Sequence, residues 1–357
     1  MSNGTILKLT NPLLTTWSSE SHLEAVILQD PAARIWMFNN YVNVVGNYVG
    51  FKNVYLMRFF PQHDPCDPAL LLNAWTACPF VELHYVSSLF VKEHFSSVIG
   101  YLKHCIDQGY FVYLDLDQRM IKIRDRIHKT FIYGYNDSTR EVYASDHLDY
   151  GKYERFSIKF EDFEKMAKSA YFDEQKILES ARRFQQDLLT SSYEYRNFVI
   201  IKKQSYSFEF NMDWFKLQLS DYLNGVYRFD SFAPTINKNK QVKYFGVNTY
   251  DLMLKYIDDL ITDKTNHRDW RIFTLLYDHK FLMKERIEYF IMHNYISANQ
   301  IDVYAFGEIV DDARTIVNIF IKYGITKQKK SLEKIRNLLC AISAKERNIL
   351  QNLYDLI

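Results

Sequence analysis

The chain has 357 residues, of which 48% are hydrophobic and 24% are charged, and its formal net charge is +1. This length favours two domains of about 100–200 residues each, and the composition is typical of a globular protein rather than a disordered one. The near-neutral charge provides no global field that would attract nucleic acid or an anionic membrane surface.

The N-terminal residues have neither the basic start nor the apolar core of a signal peptide. No apolar run reaches the roughly 18 residues that are needed to cross a bilayer. We therefore expect a cytoplasmic protein that does not contact membranes. Its cysteines show no CxxC spacing, so we expect reduced thiols rather than disulfides or a zinc site. They are Cys66, Cys78, Cys105 and Cys340.

Apolar residues at helical spacing predict helix over residues 20–47. Asp30-Pro31 predicts a kink or a second helix start within this stretch, because proline is tolerated in the first turn of a helix. Residues 51–60 have the composition of a short strand. Residues 92–108 are again helical in pattern, and Gly109 occupies the place of a C-terminal glycine cap.

Three strand-like runs follow, at residues 110–116, 129–135 and 141–146, and the turn residues 136–138 join the second run to the third. A further strand-like run lies at 197–203. Because helices precede a group of neighbouring strands instead of alternating with them, the sequence predicts an α+β fold with an antiparallel sheet.

The last third of the chain is helical in pattern, and Gly324 is predicted to end the third of its helices. We place a domain boundary between residues 190 and 240, around 237–241. The predicted helices lie over 249–261 and 271–293, around Ala313–Phe320, and around Leu332–Ile342.

A histidine and an aspartate mark the edges of two predicted strands. His128 precedes the second strand and Asp146 ends the third. Across an antiparallel pair these side chains can meet, and a carboxylate that accepts from one imidazole nitrogen leaves the other free to act as a base. The alternative is a histidine at a strand edge that only makes a local hydrogen bond.

The stretch HKTFIYGYND…VYASDHLDYGKYERFSIKFEDFEKM resembles the His/Asp half of papain-like enzymes that are encoded in peptide and aminoglycoside antibiotic clusters. These are the butirosin-type acyltransferases, which are relatives of the bacteriocin-leader peptidases. In this resemblance His128 corresponds to the family's base and Asp146 to the third member of its catalytic triad. Gly134 and Tyr135 correspond to the strand that follows the histidine.

Segments 244–257 and 268–290 are similar to the helical part of such biosynthetic proteins. The resemblance therefore implies a papain-like domain over residues 1–190, followed by a mainly helical domain over residues 191–357.

The family's nucleophile is a cysteine that opens the first long helix, where the helix dipole favours the thiolate. Here no cysteine precedes Cys66, and Ser21 best occupies the nucleophile's place. Three interpretations stay open: a genuine serine nucleophile, a serine introduced in place of cysteine, or a helix N-cap in an inactive relative. The nearby polar residues that could serve as oxyanion-hole donors are Asn11, Thr15 and Thr16.

The resemblance implies an acyltransferase of antibiotic or nonribosomal-peptide biosynthesis, which moves an acyl or aminoacyl group from a carrier-protein thioester to a small-molecule amine. Ser21 would accept the acyl group, His128 would act as base and then as acid, and Asp146 would orient His128. Phosphopantetheine would enter only as the arm of the acyl or peptidyl carrier protein, and we expect neither a cofactor nor a metal. The alternative is a non-catalytic papain-fold binding or assembly protein that has lost its nucleophile.

Overall fold

A computed structural model describes residues 3–49, 54–59, 73–148, 152–172, 197–226 and 242–357. The chain divides into two compact units, and each unit is formed by two stretches of sequence. The first unit comprises Met1–Ala33 and Ala69–Ser207, and the second comprises Arg34–Pro68 and Phe208–Ile357.

These units differ from the domains expected from the sequence. The last crossing between units, after Ser207, falls inside the predicted interval of 190–240. The segment 34–68, however, belongs to the second unit, so a single boundary does not describe the chain. Residues 237–241, where we centred the boundary, lie outside the described residues, as does Cys66.

Both units combine helices with antiparallel strands, so the α+β class is confirmed. The strands are β1 (Gly4–Ile6), β2 (Val44–Val49), β3 (Val54–Phe59), β4 (Val81–Ser87), β5 (Tyr110–Asp117), β6 (Ile127–Asn136), β7 (Glu141–His147), β8 (Tyr153–Lys159), β9 (Asn197–Lys203) and β10 (Val242–Phe245). The helices are α1 (Ser18–Ile27), α2 (Pro31–Asn40), α3 (Asn73–Thr76), α4 (Ser88–His94), α5 (Val98–Asp107), α6 (Phe160–Tyr171), α7 (Met212–Asn224), α8 (Thr249–Ile261), α9 (Arg271–Met292), α10 (Val303–Thr326) and α11 (Lys329–Leu356). Across the described ranges, none of these helices has the length and apolar character that a membrane span requires.

Three local predictions are wrong. The single helix predicted over residues 92–108 is interrupted at residues 95–97, which separate α4 from α5. The helical pattern over 20–47 runs too far, because residues from Val44 onward form β2, which pairs with β3 on one side and β10 on the other. Gly324 does not end a helix: it lies within α10, which closes at Lys327 in the left-handed conformation, with φ of 56°. The helical tendency of the surrounding residues and their packing outweigh the cost of about 1 kcal/mol for an interior glycine.

The first unit is built on an antiparallel sheet in the order β4-β9-β5-β6-β7-β8, with β1 beside β6. Alternate residues of a strand point to opposite faces of its sheet. Leu114 and Ile132 therefore face α5 and α6, in whose core cluster they are buried. Tyr113 and Phe131 face the other way, and His22 of α1 stacks on Phe131 with the ring centroids 4.8 Å apart. The sheet thus separates α1 from α5 and α6.

The second unit contains the sheet β10-β2-β3 and the helices α7 to α11. Buried polar contacts join helix α9 to the C-terminal end of α2 and to Val42. Arg286 of α9 is fully buried and donates to the carbonyls of Phe38 at 2.5 Å and Tyr41 at 3.1 Å, at the C-terminal end of α2. His279, also on α9, lies 2.9 Å from the carbonyl oxygen of Val42. These contacts satisfy carbonyl groups that a helix end leaves without an internal partner.

We expect Arg286→Met to lower the free energy of unfolding of the second unit by about 2–4 kcal/mol, because it removes charged donors from buried carbonyls. The matched control is Arg336→Met, which removes an arginine that is 52% exposed and paired with Asp258. The control should cost less than about 1 kcal/mol. Urea unfolding followed by circular dichroism measures both, and equal losses would contradict the role of Arg286.

Candidate functional site

The hydrogen bond expected between His128 and Asp146 is present, with His128 Nδ1 lying 3.0 Å from Asp146 Oδ2. Strands β6 and β7 pair with Phe131 opposite Ser145, a register that brings the start of β6 beside the end of β7. The Asp146 side chain is fully buried and the His128 side chain is 20% exposed. A catalytic role for this pair stays a prediction.

Asp146 receives further donors from its surroundings. Gln118 Nε2 donates to Asp146 Oδ2 at 3.0 Å, and the backbone N–H of His147 donates to Oδ1 at 2.7 Å. Arg124 Nη2 lies 3.6 Å from Oδ1. Burial by itself raises the pKa of Asp146, but His128 and Arg124 outweigh burial and hold this pKa well below its usual range. Asp146 is therefore an ionised, buried carboxylate.

The charge of Asp146 determines which nitrogen of His128 donates to it. An ionised carboxylate only accepts hydrogen bonds, so His128 donates from Nδ1. Arg124 Nη1 lies 2.9 Å from His128 Nε2, and a guanidinium only donates. Arg124, which lies in the connection between β5 and β6, therefore occupies the lone pair that a general base would use.

Ser21 does not lie where the sequence placed it. It is the fourth residue of α1, whose N-cap is Trp17, and it is fully buried. Ser21 Oγ donates to the carbonyl of Leu14 at 2.8 Å and lies 3.1 Å from the carbonyl oxygen of Trp17. It also lies 3.1 Å from His147 Nε2. The hydroxyl carries a single proton, and the tautomer of His147 decides which of the two side chains donates in their contact.

The pleat of the sheet keeps Ser21 and His128 apart. His128 and Asp146 alternate with Phe131 and Ser145, so they lie on the face that Ile132 shares with α5 and α6. His147 points to the opposite face, where it contacts Ser21 of α1. The structure therefore does not bring the predicted set Ser21, His128 and Asp146 together, and the prediction that Ser21 opens or caps the helix is wrong.

A second polar group lies between α1 and the sheet. His22 is fully buried, and its Nδ1 lies 3.1 Å from the hydroxyl of Tyr153, which is 3.0 Å from Ser145 Oγ. His22 Nε2 has no hydrogen-bond partner among the described residues. Burial lowers the pKa of His22 to about 3, against the attraction of Asp146. This histidine is therefore neutral in the folded protein.

Three residues of the site, Arg124, Gln118 and His147, are not predicted by the sequence pattern. His147 directly follows Asp146, and the alternation of a strand would by itself have placed it on the other face. Arg124 and Gln118 belong to the irregular connection between β5 and β6, which contains a short 3₁₀ turn at Gln118–Ile121. No periodic pattern reveals where such a connection directs its side chains.

Within the described residues, no group of three or more His, Cys, Asp or Glu side chains is placed to hold a metal ion. Comparison with models of known protein families and with curated proteins yielded no match. The chemistry of the site therefore has to be inferred from its own geometry.

Removing Arg124 should uncover the lone pair of His128. We expect Arg124→Met to increase the rate at which diethyl pyrocarbonate modifies His128 several-fold, because the reagent attacks an unprotonated imidazole nitrogen. Mass spectrometry of the peptide that contains His128 measures this rate. Arg140→Met is the control, since Arg140 is exposed and bonded to Glu161. Unchanged modification of His128 in the Arg124 variant would contradict the contact.

The buried, neutral His22 should make the first unit sensitive to acid. Between the ordinary pKa of 6.5 and the lowered value of about 3, the unfolded chain binds a proton that the folded chain does not. Stability contributed by this group is therefore lost as the pH falls through this window, by about 3 kcal/mol at pH 4. In His22→Asn, which keeps an acceptor for Tyr153, urea unfolding should lose less stability between pH 7 and pH 4 than in the parent chain. Equal losses would contradict the assignment.

Proposed function

We propose that this protein is a non-catalytic binding or assembly protein, whose first unit is a papain-like module without a working nucleophile. One observation carries the proposal: the buried hydroxyl of Ser21 donates to the carbonyl of Leu14 at 2.8 Å, on the sheet face opposite to His128. A nucleophile and its base lie within hydrogen-bond reach of each other, and the structure shows no hydrogen bond between Ser21 and His128 among the described residues. The histidine beside Ser21 Oγ is His147, at 3.1 Å, and both side chains are buried, so this pair is not presented to a substrate.

The papain-like part of the proposal is supported by the order of the elements. An early helix, α1, packs on an antiparallel sheet. His128 lies at the start of one strand of this sheet, and Asp146 lies near the end of the neighbouring strand. The hydrogen bond between His128 and Asp146 agrees with such an arrangement. The departure is at the helix, since serine hydroxyls replace a thiol in the first turn.

The His128–Asp146 pair has a structural role under this proposal. A buried carboxylate is costly unless donors compensate its charge, and removal of one partner leaves an uncompensated charge behind. His128, Gln118 and the backbone of His147 supply these donors, and Arg124 adds a positive charge 3.6 Å away. The pair therefore keeps the β5–β6 connection in place on the sheet, and this structural role requires no catalysis.

A second candidate function is favoured by one observation, the 3.0 Å hydrogen bond of a partly exposed histidine to a buried carboxylate. This candidate is amide formation or acyl transfer from the thioester of an acyl or peptidyl carrier protein to a small-molecule amine. Arg124 would have to leave His128 Nε2, and the amine would attack the thioester carbonyl directly. His128 would take the amine proton and pass it to the sulfur as the C–S bond breaks, so Ser21 would not form an intermediate.

Alkylation of a Ser21→Cys variant tests the first proposal. We expect the thiol at position 21 to react with iodoacetamide far more slowly than Cys340, which is exposed in the same chain. Burial also raises the pKa of Cys78 to about 12 and of Cys105 to about 11, so these thiols should stay unlabelled. Peptide mapping by mass spectrometry gives the rates. A thiol at position 21 that reacts as fast as Cys340 in the folded protein would overturn the proposal.

A second arm of the same experiment separates the two candidates. The parent chain and His128→Ala are incubated with an acyl-pantetheine thioester and a small amine, and thiol release is recorded. The non-catalytic proposal expects the uncatalysed rate from both chains. Faster release that His128→Ala abolishes would establish the second candidate instead of the first.

A further inference from the structure

Residues of α4, α5 and α6 and of their flanking segments in the first unit line an open cavity of about 590 Å³. This volume lies within the range of about 300–1,000 Å³ that is usual for small-molecule sites. None of the residues that line it belongs to the set formed by Ser21, His128 and Asp146. The cavity is therefore a separate feature of the first unit.

One part of the cavity wall is apolar. Val91 of α4 and Val98 of α5 line the cavity, and both are buried members of the core cluster of the first unit. Phe95 and Phe172 complete this wall, and both rings are only half-buried. An apolar ligand would remove the exposed part of these rings from water, at about 25 cal/mol for each Å² buried.

The charged part of the lining carries an excess of positive charge. Glu164 is the one carboxylate among the lining residues, and its oxygens accept from the backbone N–H groups of Val98 at 3.2 Å and Ile99 at 3.0 Å. This carboxylate therefore caps the first turn of α5, and Lys168 Nζ lies 3.3 Å from it.

Lys92 makes no ion pair with any described residue, and its ammonium group lies 5.7 Å from the ring centroid of Phe172. Two lysines thus border the cavity, and its single lining carboxylate already accepts hydrogen bonds from the first turn of α5. The remaining charge is positive, and it lies next to the apolar wall. This combination suits a ligand with an anionic head and an apolar chain.

We propose that this cavity binds a small amphipathic anion, an alkyl chain that carries a carboxylate or phosphate head. The chain contacts Val91, Val98 and Phe172, and the head lies between Lys92 and Lys168. The proposal goes beyond the function proposed above, because binding at this cavity requires no chemistry at His128 and does not depend on Ser21.

Isothermal titration calorimetry with decanoate, decyl phosphate and decanol, each below its micelle concentration, tests the proposal. We expect one site per chain and affinities for the two anions that exceed that of decanol by about five- to tenfold, since each lysine contributes a partly exposed ion pair. Whichever of decanoate and decyl phosphate binds more tightly identifies the head group.

Lys92→Met with Lys168→Met should reduce the affinity for the anions to that for decanol. Lys165→Met is the matched control, because Lys165 is an exposed lysine of α6 that does not line the cavity, and it should leave the affinity unchanged. Val98→Trp, which fills the cavity, should abolish binding of all three compounds in a chain whose circular dichroism is unchanged. The lysine variants keep the test decisive if Val98→Trp does not fold. Absence of binding, equal affinity for decanoate and decanol, several weak sites, or an equal loss in Lys165→Met would overturn the proposal.

Discussion

The polar site of the first unit depends on the buried negative charge of Asp146. A carboxylate in this position has to receive hydrogen bonds from the protein, because burial removes the water molecules that would otherwise donate to it. His128, Gln118 and the backbone of His147 provide them, and Arg124 adds a positive charge nearby. Since Asp146 is ionised, His128 must donate from Nδ1, and its Nε2 is left to accept from Arg124. The hydrogen bonds of the histidine follow from the charged groups on its two sides.

The alternation of side chains along a strand explains why a histidine, an aspartate and a serine do not form one site here. Asp146 and His147 are neighbours in sequence, yet they serve opposite faces of the sheet. One face carries the cluster of His128 and Arg124, and the other receives α1 with Ser21. A polar network lies on each face of the same strand ends, and Ser21 and the histidine beside it, His147, are both buried. This separation is what favours a binding role over catalysis.

The second unit depends on buried charge in a different way. Arg286 directs its guanidinium at the carbonyls that end α2, so a positive charge and a helix C-terminus compensate each other. Lys280 and Glu346 form a buried ion pair at 2.6 Å, to which the hydroxyl of Tyr250 also donates. Such pairs are costly to break, because the group that remains stays buried without a partner. The contacts of Arg286 explain why the end of α2 belongs to the second unit although it follows the first helix of the chain.

The sequence by itself determined the local elements whose pattern is strong. The strands β5, β6 and β7 follow from alternating apolar residues joined by turn residues, and the break at Pro31 follows from the restricted backbone of proline. The approach of His128 to Asp146 was also predictable, because it needs only two adjacent antiparallel strands and a short turn.

The tertiary structure alone decided the positions of Arg124 and Ser21 and the assignment of residues 34–68 to the second unit. Arg124 lies in an irregular connection, Ser21 is placed by the packing of α1 on one sheet face, and the end of α2 and Val42 are bonded to side chains of α9. These are contacts between residues that lie far apart in the chain or in irregular segments, and no local periodicity encodes them.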